Sequence, residues 1–404
     1  MLAIREWADR AWKIQPQLIQ WRRHLHQYPE LSFQEFQTAK WVADQLRRTP
    51  GVQVQTEVGG TGVVGTLAFG PGPHIALRAD MDALPILESE DRPYRSRTPG
   101  VMHACGHDAH TAMLLGAARL LAETAAAGEV KGTVRFLFQP AEENSGPDGL
   151  TGAPRMIADG ALDGVERILA LHVDPELPVG SFRVNDGFTM ASVDTFTGTL
   201  IGTGGHGAYP DRGVDPTWIL LPVLQVLHGI TARRVSPLEP AVISIGRIHA
   251  GMASNIIPAE VELEGTIRCR SPELRERLIA EVEGAFSLAS SLGGDYRFRV
   301  VRGEPALQND PEVNRQIIAA IRKVVPDGVI QAGPHGLGAE DFSHMVEKVP
   351  GAMFFLGCAE SGGVRRELHT PTFDLDEQCL SLGAVILAET AKRLLCAAST
   401  GEGR

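Results

Sequence analysis

The ten residues Val101 to His110, VMHACGHDAH, hold one cysteine, three histidines and an aspartate around a single glycine. A thiolate and an imidazole are ligands for zinc and other borderline transition metals. A thiol beside an imidazole is also how a nucleophilic cysteine is built. Cys105 and His107 are two residues apart, which in an extended segment puts both side chains on one side. Taken alone the pair is a weak signal, because buried free cysteines are common in protein cores. Three more places carry the same kind of chemistry. Glu142 and Glu143 are adjacent, so one could bind a metal while its neighbour serves as a base; a solvated acidic loop reads the same way. His172 closes the apolar run ILAL, where a polar ring needs a partner. His369 lies in LHTPTF, a loop of turn formers after a glycine-rich stretch. Together Cys105, His107, Glu143, His172 and His369 suffice for two metal ions and leave Glu142 over as a base.

The elements around these residues read as an α/β fold. Residues 8–46 predict two helices broken at Pro29. GVVGTLAFG, HIALRADMDAL, GTVRFLFQP and RILALHV read as strands, and their continuous apolar runs predict burial on both faces. TAMLLGAARLLAETAAA reads as a helix. Alternating strands and helices predict a doubly wound, mostly parallel sheet. Ligand sites in such sheets lie outside the carboxyl ends of the strands. Asp80 and Asp82 follow HIALRA, Glu142 and Glu143 follow VRFLFQP, and His172 follows ILAL. From about Asp186 the texture changes, and the order β-α-β-β-α-β predicts a small ferredoxin-like α+β domain. The expected organisation is a discontinuous first domain, residues 1–186 plus 298–404, with residues 187–297 inserted.

Bulk properties bound the function. The chain has 404 residues, too many for one ordinary core. Its net charge of −11 argues against nucleic acid or an anionic membrane as the main partner. The five cysteines are widely spaced without a CxxC pair, which predicts a reducing compartment rather than a disulfide framework. No apolar stretch reaches the ~18 residues of a membrane helix, and MLAIREWADRAWKIQ lacks the apolar core of a signal peptide. The expected location is the cytoplasm.

The stretches RRHLHQYPELSFQE, ALRADMDALPI, PGVMHACGHDAHTAMLLGAARLL, FLFQPAEE, GHGAYP, SNIIPAEVELEGTIR, GAEDFS and LHTPTFD run almost end to end. In that order the sequence resembles the amidohydrolase branch of the M20 peptidase family, which holds N-acyl-amino-acid amidohydrolases, hippurate hydrolases and auxin-conjugate hydrolases. The resemblance implies a metallohydrolase domain whose Cys105, His107, Glu143, His172 and His369 ligate two divalent metals, with Glu142 as general acid/base. It implies that the inserted domain is a lid and dimerisation domain. It implies that His206 reaches the site from that domain, often from a neighbouring subunit. Asn255 and Arg268 become candidates for the substrate carboxylate. Many M20 relatives begin their first motif with His-x-Asp; here Asp80 stands in the histidine's place, and Asp82 keeps the position that orients a ligand. The metal is zinc, manganese, cobalt or nickel, since a thiolate favours zinc and the other ligands accept all four. The implied substrate is a small N-acyl amino acid, and the implied assembly a homodimer or homotetramer. A dipeptidase or an N-acetyl-diaminopimelate deacetylase on the same scaffold is the alternative activity. A cysteine hydrolase using Cys105 with His107 is the distant one, because triad partners usually come from separate segments.

Overall fold

The described residues of the computed structural model are 2–125, 130–360 and 366–400. The chain opens with α1 (Leu2–Gln27), which accommodates Pro16 in its interior and stops before Pro29. In α2 (Phe36–Arg47), Thr38, Ala39, Val42, Ala43 and Leu46 recur at helical spacing and form the buried face. Then come β1 (Val52–Val58), β2 (Gly62–Ala68), β3 (His74–Asp80), α3 (His107–Ala125), β4 (Thr133–Gln139), β5 (Arg167–Pro178) and β6 (Ser181–Arg183). The runs in β3, β4 and β5 that read as continuous and apolar are buried almost throughout.

The chain divides into two compact units. One comprises Met1–Gly187, Gln308–Pro334 and His344–Arg404, and the other Phe188–Leu307 and His335–Ser343. The second unit contains β7 (Ser192–Ile201), α4 (Pro216–Arg233), β8 (Ala241–Ala250), β9 (Glu260–Cys269), α5 (Pro272–Ser291) and β10 (Asp295–Arg302). Its four strands form an antiparallel sheet in the order β8-β9-β7-β10. Both helices begin with a capping side chain before a proline: Asp215 accepts from Thr217 N–H and Ser271 from Leu274 N–H. Phe196, Leu200, Val223, Leu263, Leu278 and Phe286 lie in the core between sheet and helices. Gly198 is required there, because a Cβ would meet the Phe286 ring at 2.1 Å. A boundary at residue 297 would cut β10 in half. The ladder from Asp295 to Arg302 against β7 holds the whole strand in this unit, which runs on to Leu307.

The first unit resumes with α6 (Pro311–Val324), β11 (Val329–Gln331), β12 (Gly351–Ala359) and α7 (Cys379–Thr400). Its eight strands lie in the order β1-β2-β4-β3-β5-β12-β6-β11. The centre, β4-β3-β5-β12, is parallel throughout. The flanking pairs β1–β2, β2–β4 and β6–β12 are antiparallel, so the expected parallel sheet is mixed at its margins. Strand β1 was not among the strands expected from apolar runs. Its VQVQTEV pattern is half polar and leaves one face to solvent, as antiparallel edges can. No helix among the described residues is long and apolar enough to cross a membrane.

Candidate metal centre

The parallel register places Asp80 at the end of β3 opposite Gln139 at the end of β4. Glu142 and Glu143 follow three and four residues later. His172 sits within β5 opposite Phe355 of β12, and the strand runs on to Pro178, so this histidine does not end it as expected. Cys105 and His107 are not in an extended segment either. Between them Gly106 takes φ +91°, and His107 opens α3. A Cβ at Gly106 would meet Cγ2 of Val173 at 2.4 Å, so only glycine permits this turn against β5. His369 reaches the same place from the loop after β12. Its backbone is left-handed at φ +59°, and its N–H donates to Ala104 O at 2.8 Å.

These loops bring the candidate ligands together. Three overlapping groups, Cys105–His107–His172, Cys105–Glu143–His369 and His107–Glu142–Glu143, each have their ligand atoms within 4.8 Å of one another. Cys105 Sγ lies 3.5 Å from His172 Nε2 and 3.3 Å from His369 Nε2. Glu143 Oε1 lies 3.2 Å from His369 Nε2 and 3.8 Å from His107 Nε2.

The surrounding hydrogen bonds set which ring nitrogen faces inward. His107 Nδ1 donates to Asp82 O at 2.9 Å, and His172 Nδ1 donates to Val173 O at 2.8 Å. Each ring therefore turns its Nε2 toward the cluster, the orientation that metal-binding histidines adopt. His107 Nε2 and Glu143 Oε1 are buried and carry no hydrogen bond. Buried polar atoms left so are costly; a cation between them removes the cost, so the donor set fits a divalent metal. Burial works against charging His107, yet Asp80, Asp82 and Glu143 outweigh it and raise the ring to about 10. Burial, with Glu143, Glu142 and Asp80 adding, pushes the Cys105 thiol well above its ordinary range. A cysteine nucleophile needs the opposite shift.

The three histidines of the opening stretch have three fates. His107 points into the cluster. His103 is buried, and burial lowers it to about 4, so it stays neutral. His110 uses both nitrogens elsewhere: Nδ1 donates to Asp80 Oδ1 at 2.7 Å and Nε2 accepts from Val173 N–H at 3.0 Å. The second oxygen of Asp80 takes Arg78 at 2.7 Å. His110 thus ties β3 to β5 beneath the cluster, a role that residue type alone did not assign. Its one signal was the spacing from His107, three residues on in the first turn of a helix and hence on a shared face. Asp82 accepts from Glu143 N–H at 3.0 Å while its own carbonyl holds His107.

The remaining candidates lie in the second unit. His206 is exposed on a two-residue strand paired with Ile256–Ile257, and its Nδ1 accepts from Ala208 N–H at 3.0 Å. Asn255 is exposed nearby, its carbonyl accepting from Gly207 N–H at 2.8 Å. Arg268, on β9, donates to Leu337 O at 3.2 Å. It is partly buried against the loop AGPHGLGAEDF rather than free in solvent.

Residues 76–393 match Peptidase family M20/M25/M40. The chain belongs to this family. It is 40% identical over 387 residues to N-acetyl-L-cysteine deacetylase of Bacillus subtilis, covering 95% of this chain and 89% of that one. It is likewise 40% identical over 384 residues to thermostable carboxypeptidase 1 of Saccharolobus solfataricus, covering 92% and 94%. A solved dinuclear metal-binding M20 peptidase from Bacillus subtilis superposes with a TM-score of 0.81 at 35% identity, covering 95% and 99%. This M20 chain is a hydrolase of that family, with both amidohydrolase and peptidase relatives.

Proposed function

We propose that the chain cleaves the amide bond of N-acyl amino acids, acetylated or hippurate-like, releasing a carboxylate and a free amino acid. The observation that carries the reading is the convergence of Cys105, His107, Glu143, His172 and His369 with Glu142 beside them. In this reading those five hold two divalent ions, drawn from zinc, manganese, cobalt or nickel. Bound metal acidifies water from a pKa of ~15.7 toward 7 and polarises the amide carbonyl. Glu142 takes the proton of the attacking water and delivers it to the leaving nitrogen. The tautomers of His107 and His172 are held by Asp82 O and Val173 O, so both rings stay oriented through the reaction. The second unit acts as a lid, from which the His206 nitrogen not engaged with Ala208 donates to the developing oxyanion. Asn255 and Arg268 receive the free carboxylate of the substrate.

Two features support pairing of copies through the second unit. Strand β8 is an edge of its sheet, and Trp218 and Leu221 on α4 are 55% and 67% exposed. The enzyme is taken to work in the cytoplasm as a homodimer or homotetramer.

The test strips the protein of metal, reloads it with each of the four ions, and assays a panel of N-acyl amino acids beside peptides with free amino termini. Chelation should abolish hydrolysis, and reloading should restore it with N-acyl amino acids as the better substrates. Full activity in protein shown metal-free by elemental analysis overturns the mechanism. A preference for free peptides moves the chain to the peptidase side of its family.

A further inference from the structure

The segment ELSFQE, residues 30–35, joins α1 to α2 and runs alongside the loops that carry the cluster. Ala83 N–H donates to Glu30 O at 2.8 Å, and Leu31 bridges to Ala83. Ser32 Oγ donates to Asp82 Oδ2 at 2.7 Å, the oxygen that also receives Glu143 N–H. Glu35 immediately precedes α2, yet its side chain makes no capping bond to that helix. Glu30 does that work, accepting from Gln37 N–H at 3.2 Å and Thr38 N–H at 2.8 Å. Glu35 is fully buried. Its Oε1 accepts from Ala141 N–H at 2.8 Å and from Phe33 N–H at 3.0 Å, and its Oε2 from Thr61 Oγ at 2.6 Å. Ala141 and Phe33 are both left-handed, with φ of +47° and +64°. Residues with a Cβ hold such backbone only where their surroundings over-determine it.

We propose that Glu35 is a positioning residue: through the Ala141 N–H it holds the left-handed turn after β4 that aims Glu142 and Glu143 into the cluster. The inference rests on the reading of Glu143 as a ligand and Glu142 as the base. Ala141 is the residue directly before them, so its φ sets the direction in which the pair leaves the strand. The opposite end of the turn is pinned as well, since Ala141 O accepts from Gly152 N–H at 2.8 Å. Glu35 and Asp82 thus grip consecutive parts of one loop, at Ala141 N–H and Glu143 N–H, and Ser32 of the same six-residue segment braces Asp82. Burial, with the charge of Asp82 adding, raises Glu35 to about 7. Glutamine has the shape of the protonated form and keeps an acceptor toward Ala141 and Phe33, while Thr61 can turn its hydroxyl to accept.

The experiment compares E35A, E35D and E35Q in the full-length protein. Metal affinity is read by chelator competition, kcat and KM on hippurate, and melting temperature in parallel. Outer partners of metal ligands typically matter by 10–100-fold. E35A should weaken one of the two ions about 10–100-fold and lower kcat by a similar factor with KM little changed. E35Q should restore both. E35D, too short to reach Ala141, should behave as E35A and serves if the alanine variant does not fold. L46A, a buried core truncation in α2, controls for stability: it should lower the melting temperature and leave metal affinity alone. Wild-type metal affinity and kcat in E35A or E35D overturn the proposal, as does E35Q failing as badly as E35A. E143Q is measured beside them. If E143Q keeps both ions, the ligand reading itself has failed; if E143Q loses metal while E35A and E35D do not, only the positioning role has.

Discussion

In the first unit Cys105, His107 and His172 are buried, the first two to 8% and 1% exposure, Glu143 is partly buried and His369 is exposed, and hydrogen-bonded partners already orient the rings of His107 and His172. In the second, His206 and Asn255 stand exposed on short paired turns. The difference fits the roles proposed for each. An ion site works by fixed geometry in a desolvated place, so its donors are built on adjacent ends of one parallel sheet and braced from behind. A donor to a charge that exists only in the transition state gains nothing from burial before substrate arrives.

Four measurements break or sharpen that contrast, taken from the largest effect downward. Glu142→Gln should lose roughly 10²–10⁴ in kcat, the usual share of a general acid/base, while elemental analysis still finds both ions. Near-normal hydrolysis would remove Glu142 from the chemistry. His206→Ala should lower kcat by ~10²–10³ with metal content untouched; a drop in bound metal would mean the two regions are not separable in function. If a neighbouring copy supplies His206, mixing His206→Ala with Glu142→Gln subunits recovers some activity, because one mixed site regains both groups.

The third measurement concerns stability. Arg22 is fully buried and holds Asp108 and Asp374 at 2.8 Å each. Arg22→Met removes the cation these carboxylates share, leaving Asp108 to His26 and Asp374 to Arg92 and Tyr94, and should cost at most about 3–5 kcal/mol, seen as faster amide exchange in α1 and α3 with the second unit's sheet unaffected. Burial alone would raise both carboxyls, but Arg22, with His26 at Asp108 and with Arg92 and Tyr94 at Asp374, outweighs it and holds them below their ordinary range. Depressed carboxyls contribute stability that is complete above the unfolded pKa of about 3.9 and is lost as pH falls through the folded value. The first unit should therefore weaken below about pH 4, and Arg22→Met should flatten that loss. The smallest effect belongs to the second unit's surface. Arg302 and Glu276 pair with both side chains more than half exposed, so Arg302→Ala should leave the melting curve unchanged within error.

What could be read from the chain alone was whatever repeats along it. Apolar runs of strand length marked β2, β3, β4 and β5, and the alternation with α3 marked a largely parallel centre. The order of elements after Asp186 marked the small antiparallel unit, although not where it ends, because β10 is half exposed and its place depends on pairing with β7. Residue types alone flagged Cys105, His107, Glu142, Glu143, His172 and His369. Tertiary structure decided how they meet. Cys105 and His107 converge through a glycine turn pressed on Val173, not through strand alternation. His110, of the same type as His107 and one helical turn away, has both nitrogens committed to Asp80 and Val173. Glu35 reaches Ala141 across more than a hundred residues of sequence. Periodicity is local to a segment, whereas a hydrogen bond between distant loops is set by the packing that brings them together. The candidate ligands were legible as chemistry, and the hydrogen bonds that surround them became visible only once the sheet had placed its strand ends side by side.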